Sequence, residues 1–443
     1  MTLYPMICLQ KTKGAITLLF LLGNILYMAD RYSLRCVERG CLAIKGDSIQ
    51  NVYEEKDFHK LAIQTEDTVV DYGNRLIVPG MADLHLHASQ FAFRGLYMDC
   101  ELLDWLDKHA FPEEMKYADM DYAAKAYSIF IDALQKSPTT RACIFTTIHT
   151  ESALLLAQLL DEKGYPAYVG RVNMDRNCPE ELKEQSVDAA LSDTRRFVRH
   201  VQENCQYVKP ILTPRFVPSC SDALLEGLGR LSQEYSLPVQ SHLSENPEEI
   251  KLAASLSDAR FYGDTYDRFG LFGPEQKTVM AHCVYSGEEE IARLKENGVF
   301  IAHCPNSNIS LASGIAPIRK YWEYGLSIGL GTDIAGGFSL SMFRAIQDAI
   351  SVSKLYWRQD GTKKPLCFSE AFFMATMGGG AFFGKTGTFL PGYEADVVVL
   401  DDKELPCPFP LSARERLERL CYLLSEHTVS AKYIQGRLVY TQD

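Results

Sequence analysis

The 443-residue sequence lacks the patterns that indicate a disulfide framework or a small zinc module. Its 13 cysteines, an odd number, include no C-x-x-C pair and no paired zinc-ribbon spacing. Several lie inside apolar, strand-like runs, among them Cys143, Cys283 and Cys304. Buried, reduced thiols in a cytosolic protein explain this distribution better than disulfide bonds do.

Basic residues are also fewer than acidic ones. The chain has 45 Lys and Arg residues against 57 Asp and Glu residues, so its formal net charge is −12. An acidic surface repels phosphate backbones and anionic lipid headgroups. The composition therefore argues against a nucleic acid polymer or a membrane as a partner, and it leaves a small neutral or cationic ligand open.

Long uninterrupted apolar runs are missing as well. The run "ITLLFLLGNILYM" follows two lysines and could be mistaken for a signal peptide. It is short, Gly23 and Asn24 interrupt it, and no clean small-residue cleavage site follows. It is also too short and broken to span a bilayer. We predict a β-strand and a turn here.

The chain does contain a regular alternation of short apolar strands and helix-like stretches, which begins at Pro79. The eight strand candidates are "MADLHLH", "ACIFTTIHT", "AYVGRVN", "KPILTPRF", "LPVQSHLSE", "KTVMAHCV", "GVFIAHCP" and "LSIGLGTD". Amphipathic segments such as "GEEEIARLKENG" lie between most of them. Eight β/α repeats is the number that closes a TIM barrel.

We therefore predict an α/β protein: a TIM (β/α)8 barrel with a small β-sandwich domain built from both chain ends. Residues 1–78 would form the N-terminal part of the small β domain, and residues 79–380 the barrel. Residues 381–443 would form the C-terminal part of the small β domain, with a terminal helix. Strand-like segments with Gly-rich turns occur in both end regions, for example "SAKYIQGRLVYT".

Five polar residues fall at the carboxyl ends of four predicted strands, where barrels of this kind carry their chemistry. His85 and His87 end the first strand, His242 the fifth and His282 the sixth, and Asp333 ends the eighth. The two histidines of the first strand share one face, roughly 7 Å apart. A lone histidine is more typical of a satisfied core position, but five convergent residues of these types indicate a metal site.

This arrangement resembles the amidohydrolase superfamily, whose signature is H-x-H on the first strand, histidines on the fifth and sixth, and aspartate on the eighth. The resemblance covers nearly the whole chain from about residue 15. It implies His85, His87, His242 and Asp333 as metal ligands. It also implies that His282 forms a hydrogen bond with the substrate or the attacking water.

The resemblance further implies one metal ion per subunit. Two-metal members usually carry a carbamylated lysine at the end of the fourth strand. Here that strand ends in "TPRF", and Lys209 lies at its opposite end. Imidazole and carboxylate ligands suit zinc or iron(II), and we expect zinc.

Three residues are predicted to carry the proton transfers: Glu245, Asp333 and His282. Asp333 can accept a proton from a water that the metal activates. Glu245 follows His242 by three residues and is placed to shuttle protons to the ring and the leaving group. The alternative for Glu245 is an exposed loop position.

Further strings resemble the guanine-deaminating branch of this superfamily, namely "HLHASQFAFRG", "TPRFVPSCS", "QSHLSEN", "VMAHC", "IAHCPNSNISLASG" and "IGLGTDIAGG". Ser89 stands where that branch has proline. The resemblance implies hydrolysis of guanine to xanthine and ammonia by a metal-bound hydroxide, in a cytoplasmic homodimer. The alternatives are a related enzyme acting on another purine, a pterin or a triazine, and a non-catalytic scaffold. The scaffold is disfavoured because every expected ligand is kept.

The residues themselves suggest how a purine would be held. Arg215 can donate to a carbonyl such as O6, or pair with a nearby acid instead. Gln90 offers a donor and an acceptor, and Phe216 can stack on the ring or serve as a core aromatic. The segment around Trp105 is a candidate lid. The predicted substrate-binding set is His87, Ala88, Ser89, Gln90, Arg215, Phe216, His242, Glu245, His282 and Asp333.

Overall fold

The computed structural model describes residues 17–61, 63–423 and 428–442. Two large sheets dominate it, one with eight strands and one with seven. The β-strands are β1 Leu18–Met28, β2 Leu34–Lys45, β3 Ser48–Tyr53, β4 Thr68–Pro79, β5 Met81–His87, β6 Thr139–Phe145, β7 Ala167–Gly170, β8 Val172–Asn173, β9 Lys209–Pro210, β10 Thr213–Pro214, β11 Val239–Leu243, β12 Thr278–His282, β13 Phe300–His303, β14 Ser327–Leu330, β15 Val397–Leu400, β16 Val429–Ile434 and β17 Arg437–Thr441.

Helices alternate with the barrel strands and continue after them. The α-helices are α1 Leu102–Trp105, α2 Phe111–Met115, α3 Met120–Lys136, α4 Thr150–Glu162, α5 Val187–Asn204, α6 Asp222–Tyr235, α7 Pro247–Leu256, α8 Tyr262–Arg268, α9 Glu288–Glu296, α10 Pro305–Ser310, α11 Ile318–Tyr324, α12 Met342–Asp360, α13 Phe368–Phe373 and α14 Ala413–Leu423. A π-helical turn, Leu106–Ala110, joins α1 to α2. None of the described helices combines the length and the apolar character that a bilayer crossing requires.

The eight-stranded sheet is a parallel barrel with the order β11-β12-β13-β14-β5-β6-β7-β9. Its fourth strand is interrupted, and Leu212 between β9 and β10 closes the ring by bridging to Val239 of β11. The amide of Leu212 donates to the Pro238 carbonyl at 2.9 Å, and the Leu212 carbonyl accepts from the Gln240 amide at 2.9 Å. These contacts confirm the predicted (β/α)8 barrel.

Burial on both faces explains why the barrel strands read as continuous apolar runs. Every residue of β5 and of β6 is buried, because helices cover the outside of a parallel barrel and side chains fill its interior. The helices start at identifiable caps. The Ser186 hydroxyl, for example, accepts from the Ala189 amide at 3.1 Å at the start of α5.

The seven-stranded sheet combines strands from both chain ends, in the order β17-β16-β15-β4-β1-β2-β3. The predicted fold class is confirmed, with the refinement that these strands belong to one continuous sheet. β1, Leu18–Met28, forms from the apolar run that could be mistaken for a signal peptide, and the first residue of that run lies outside the described residues. The predicted terminal helix is α14, but two strands follow it, so it does not end the chain. The domain boundaries at 78 and 380 stay predictions.

The small sheet leads directly into the barrel, because β4 ends at Pro79 and β5 begins at Met81. Between them, Gly80 donates its amide to the Asp396 carbonyl at 2.9 Å. A Cβ at this glycine would lie 2.1 Å from Thr140 Oγ1, so only glycine fits. This close approach fixes the start of β5 and therefore the position of the histidines at its other end.

Candidate active site

Five polar side chains meet at the carboxyl ends of the barrel strands. Asp333 Oδ1 lies 3.1 Å from His85 Nε2 and 3.6 Å from His87 Nε2. The Nε2 atoms of His87 and His242 are 3.2 Å apart. His282 Nε2 lies 3.8 Å from Asp333 Oδ2. The structure thus brings together all five residues that the sequence placed at strand ends.

Backbone and amide oxygens orient two of these rings. His242 Nδ1 donates to the Arg215 carbonyl at 2.6 Å, and His282 Nδ1 lies 2.9 Å from Asn308 Oδ1. A hydrogen bond at Nδ1 leaves Nε2 with its lone pair directed at the cluster. Such outer partners fix the tautomer of metal-ligating histidines.

The cluster fits a metal ion. In each of two groups, His85–His87–Asp333 and His85–His242–His282, the potential ligand atoms lie within 4.8 Å of one another. In the described part of the chain, the buried Nε2 atoms of His85 and His282 find no partner in hydrogen-bond geometry, and the carboxylate oxygens of Asp333 and Glu245 lie 3.1 Å and 3.4 Å from them. Buried polar atoms are normally satisfied, so a ligand from outside the chain is expected here.

Electrostatics favour the protonation states that a metal ion needs. Burial lowers the pKa of His85, His87 and His242, which keeps these imidazoles neutral at pH 7. Burial alone would raise the pKa of Asp333, but the His85 and His282 imidazoles hold it well below its usual range. Neutral imidazoles and an ionised carboxylate are the forms that bind metal.

Glu245 lies beside the cluster and is buried, with 3% of its surface exposed. The alternative of an exposed loop position is therefore wrong. Its Oε1 accepts from Ser313 Oγ at 2.8 Å, and its Oε2 lies 3.4 Å from His282 Nε2. Burial and the charge of Asp333 raise the pKa of Glu245, while His282 opposes this rise. A carboxyl with a raised pKa can hold and release a proton near neutral pH.

Several residues at these strand ends have strained backbones. Ser244, His282, Cys283 and Asp333 have φ angles of 48°, 72°, 49° and 48°. Residues other than glycine rarely adopt this left-handed region. Such conformations persist where the surrounding structure holds them, and they cluster at functional sites.

A cavity opens above the cluster, with about 390 Å³ of space between the protein atoms when its solvent-open mouth is included. Its lining residues are His87, Gln90, Leu102, Trp105, Leu106, Arg215, Phe216, His242, Glu245, His282, Leu311 and Asp333. Gln90, Arg215 and Phe216 thus face the cavity as predicted. Leu102, Trp105 and Leu106 form an apolar wall in the segment that the sequence suggested as a lid.

Two of the predicted substrate contacts, Ala88 and Ser89, stay predictions. They are not among the described residues that line the cavity. Ala88 packs in the main hydrophobic core, and Ser89 Oγ donates to the Thr146 carbonyl at 3.3 Å. Both follow His87 directly in the 3₁₀ turn Ala88–Phe93, which also contains Gln90.

The sequence left open whether Arg215 faces a substrate or pairs with an acid, and the structure shows both. Arg215 lines the cavity, and its Nη1 lies 2.6 Å from Glu114 Oε2. Both side chains are buried, at 2% and 0% exposure. The partner comes from α2, a helix that the sequence did not connect with the site.

Four contributing residues were missed from sequence: Glu114, Asn308, Leu311 and Ser313. The last three lie in "PNSNISLASG", a polar string after the seventh strand that could have been searched for ring and carboxylate partners. Glu114 gives a weaker signal, because it is one of several charged residues in "WLDKHAFPEE".

Barrel and cluster together define a class: hydrolases of the (β/α)8-barrel type with a metal-binding set of histidines and an aspartate at the strand ends. The family model of the Amidohydrolase family matches residues 76–439. The chain therefore belongs to the amidohydrolase family, which confirms the superfamily resemblance.

Curated relatives and a solved structure show which members of the family this chain is similar to. The chain is 37% identical to guanine deaminase from Dictyostelium discoideum over 386 residues, 85% of each chain. It is 38% identical to guanine deaminase from Mus musculus over 379 residues, 83% of each chain. It is also similar to the crystal structure of guanine deaminase from C. acetobutylicum with guanine bound in the active site. That match has a TM-score of 0.90 and 42% identity, and it covers 96% of this chain and 100% of the other.

Proposed function

We propose that this protein catalyses the hydrolytic deamination of guanine to xanthine and ammonia. The observation that carries the proposal is its similarity, at 42% identity and a TM-score of 0.90, to an enzyme whose structure holds guanine. The cavity adds independent support, because donor groups on Gln90 and Arg215 line its wall above the histidine–aspartate cluster. Polar groups that must be paired make such a site selective for bases with matching edges.

We further propose that His85, His87, His242 and Asp333 hold one divalent metal ion, zinc rather than iron(II). The unpartnered Nε2 of His85 and the mixed nitrogen and oxygen donors support this set. A bound ion of this kind lowers the pKa of a coordinated water to about 7 and so supplies hydroxide at neutral pH.

The chain's own residues would then carry the protons. Asp333, ionised because its pKa is low, accepts a proton from the attacking water. Water attack at C2 of guanine opens the C2–N3 π bond, and Glu245 protonates N3 as the carbon becomes tetrahedral. Glu245 then takes the proton of the new C2 hydroxyl and passes it to the amino group, so that ammonia departs as the C2 carbonyl forms. The proton held by Asp333 returns Glu245 to its starting state. Ser313 and His282 hold the Glu245 carboxyl in place, at 2.8 Å and 3.4 Å.

A homodimer and a cytoplasmic location stay part of the proposal. Both are supported by the family resemblance, and the scattered cysteines, which are free wherever the structure describes them, fit the location. Sedimentation equilibrium of the purified protein tests the oligomeric state.

An ultraviolet assay with a panel of bases tests the function. Guanine is expected to be converted to xanthine with one equivalent of ammonia. Adenine, a pterin and a chlorinated triazine are tested in parallel as the alternative substrates. Metal analysis of the same sample is expected to give one zinc ion per chain. Deamination of another base without action on guanine, or chloride release from the triazine, would assign the site to the alternative substrates.

A further inference from the structure

A buried carboxylate behind the cavity wall organises the two polar groups that face a substrate. Glu114 of α2 is fully buried and is not among the described residues that line the cavity. Its Oε1 accepts from Gln90 Nε2 at 2.8 Å, and its Oε2 accepts from Arg215 Nη1 at 2.6 Å. Gln90 and Arg215 follow different barrel strands, β5 and β10, and Glu114 joins them.

The polarity of this hydrogen-bond chain is fixed at both ends. The Ala335 amide donates to Gln90 Oε1 at 3.0 Å, and a backbone amide can only donate. The carboxylate of Glu114 can only accept, so Gln90 must direct its amino group at Glu114. The partners of the Gln90 amide therefore determine which of its ends is the oxygen and which is the nitrogen.

The remaining hydrogen-bonding capacity at this wall consists mainly of donors. Gln90 keeps one N–H after donating to Glu114, and the five donors of the Arg215 guanidinium exceed the one used by Glu114. The Arg215 guanidinium carbon also lies 5.0 Å from the centre of the Phe111 ring. Phe111 and Glu114 both belong to α2, so this helix fixes the guanidinium from two sides.

Glu114 also supplies the negative charge that the buried Arg215 side chain needs. Arg215 is 2% exposed, and an unpaired charge at this depth is costly. Glu114 compensates this charge from the side opposite the cavity, which leaves the cavity face of the guanidinium free for a neutral ligand.

We propose that Glu114 is a positioning residue that holds Gln90 and Arg215 as a donor edge, which recognises two hydrogen-bond acceptors of the purine base. The acceptors are the O6 carbonyl, paired with Arg215, and a ring nitrogen, paired with the remaining N–H of Gln90. This inference rests on the proposed function for the identity of the base. The edge itself is tested by ligands that the site cannot deaminate.

The test compares dissociation constants of hypoxanthine and unsubstituted purine by calorimetry on metal-loaded protein. Hypoxanthine has O6 and purine lacks it, and neither carries a 2-amino group to remove. The wild type is expected to prefer hypoxanthine. Glu114→Gln offers one acceptor for two donors, so that preference is expected to fall about tenfold to 100-fold. An unchanged preference overturns the proposal.

Two further variants separate positioning from folding. Glu113→Gln is the matched control: Glu113 is the neighbouring buried acid, bonded to Lys116 and Tyr122, and its replacement is expected to leave the preference unchanged. The double variant Gln90→Glu with Glu114→Gln retains a partner for every group in the chain but directs acceptors at the cavity.

The double variant is expected to fold and to bind both hypoxanthine and purine more weakly than the wild type, because a carboxylate replaces the donor that faces the ring nitrogen common to both bases. Wild-type affinity for both bases in that variant contradicts the proposal even if Glu114→Gln alone does not fold. A wild type that shows the preference but does not deaminate guanine would sink the proposed function and leave the donor edge intact.

Discussion

At the scale of single residues, burial decides which groups can take part in chemistry. Glu245 would be an ordinary acid in water, but burial and the nearby Asp333 charge raise its pKa. Asp333 itself is buried to a similar extent, yet the His85 and His282 imidazoles lower its pKa. Two carboxylates a few ångströms apart are thus driven to opposite protonation behaviour, which suits one as a proton donor and the other as an acceptor.

The first prediction concerns Glu245. Glu245→Gln keeps the hydrogen-bonding shape but cannot transfer a proton, so turnover of guanine is expected to fall by about 10²- to 10⁴-fold. Zinc content is expected to match the wild type, because Glu245 is outside the proposed ligand set. Glu248→Gln, at an exposed neighbour paired with Lys251, is the control. Near-normal turnover in Glu245→Gln would remove the proposed shuttle.

The second prediction concerns Arg215. Arg215→Ala is expected to weaken guanine binding while the metal stays bound. It also leaves the Glu114 carboxylate buried without its cation, so the free energy of unfolding should fall by about 3–5 kcal/mol. Adding Glu114→Ala should recover much of that stability, measured by urea denaturation, without restoring the KM for guanine. Unchanged guanine kinetics in the single variant would refute the O6 contact.

At the scale of elements, hydrogen bonds between the ends of neighbouring parallel strands hold the strands together at the site. Asp83 of β5 accepts from the His85 amide at 3.2 Å and the Thr332 amide at 3.0 Å. Its other oxygen accepts from Thr332 Oγ1. This buried acid therefore joins the first and eighth strands directly beneath His85 and Asp333.

The third prediction follows from this tie. Asp83→Ala leaves three buried donors without their acceptor, and each such loss costs about 1–3 kcal/mol. We expect a loss of about 3 kcal/mol or more in the free energy of unfolding, and zinc affinity about 10- to 100-fold weaker. Asp132→Ala, at an exposed position of α3, should change neither. Wild-type zinc affinity in Asp83→Ala would show that this acid does not position the ligands.

The strands of the barrel also show which structural features the sequence pattern predicts. The segment "MADLHLH" was predicted as a strand and matches β5 to the residue, although it contains buried Asp83 as well as the two histidines. The fourth strand was predicted as one unit, "KPILTPRF", but Pro210 and Pro214 remove ladder donors and it divides into β9 and β10. The convergence of the five strand-end residues was predictable because strand order places them at one end of a barrel.

Contacts between distant segments were not predictable in this way. Glu114 lies 101 residues from Arg215 and 24 from Gln90, and its sequence neighbours read only as an amphipathic stretch. Ser313 likewise reaches Glu245 across 68 residues. The side-chain contacts of Ala88 and Ser89 could not be predicted either, because the direction of a side chain in a 3₁₀ turn depends on backbone angles that composition does not specify.

At the scale of the whole molecule, buried polar groups join the small sheet to the barrel. Arg141 of β6 donates from Nε to Asp396 at 2.6 Å and from Nη2 to Glu394 at 2.7 Å. Lys432 of β16 donates to the Leu134 and Thr139 carbonyls, each at 2.9 Å. These contacts lie at the amino-terminal end of the barrel strands, away from the cluster. Residues at that end of a barrel contribute stability rather than chemistry.

The fourth prediction separates these two roles. Arg141→Ala leaves the buried Asp396 carboxylate unpaired and should lower the free energy of unfolding by about 3–5 kcal/mol. The KM for guanine and the zinc content of the folded protein should not change. Arg414→Ala, which removes an exposed pair with Glu418, should cost less than about 1 kcal/mol. A changed KM in folded Arg141→Ala would mean that the small sheet influences the site.

Every chemical step proposed for this protein depends on the imidazoles of His85, His87 and His242 sharing one ion with Asp333. Anomalous diffraction at the zinc edge, from crystals of metal-replete protein, tests this most directly. A single peak per chain is expected, within about 2.0–2.2 Å of the ligand nitrogens and the carboxylate oxygen. A map without a peak among these four side chains, or with their rings turned away from a common point, would contradict the account.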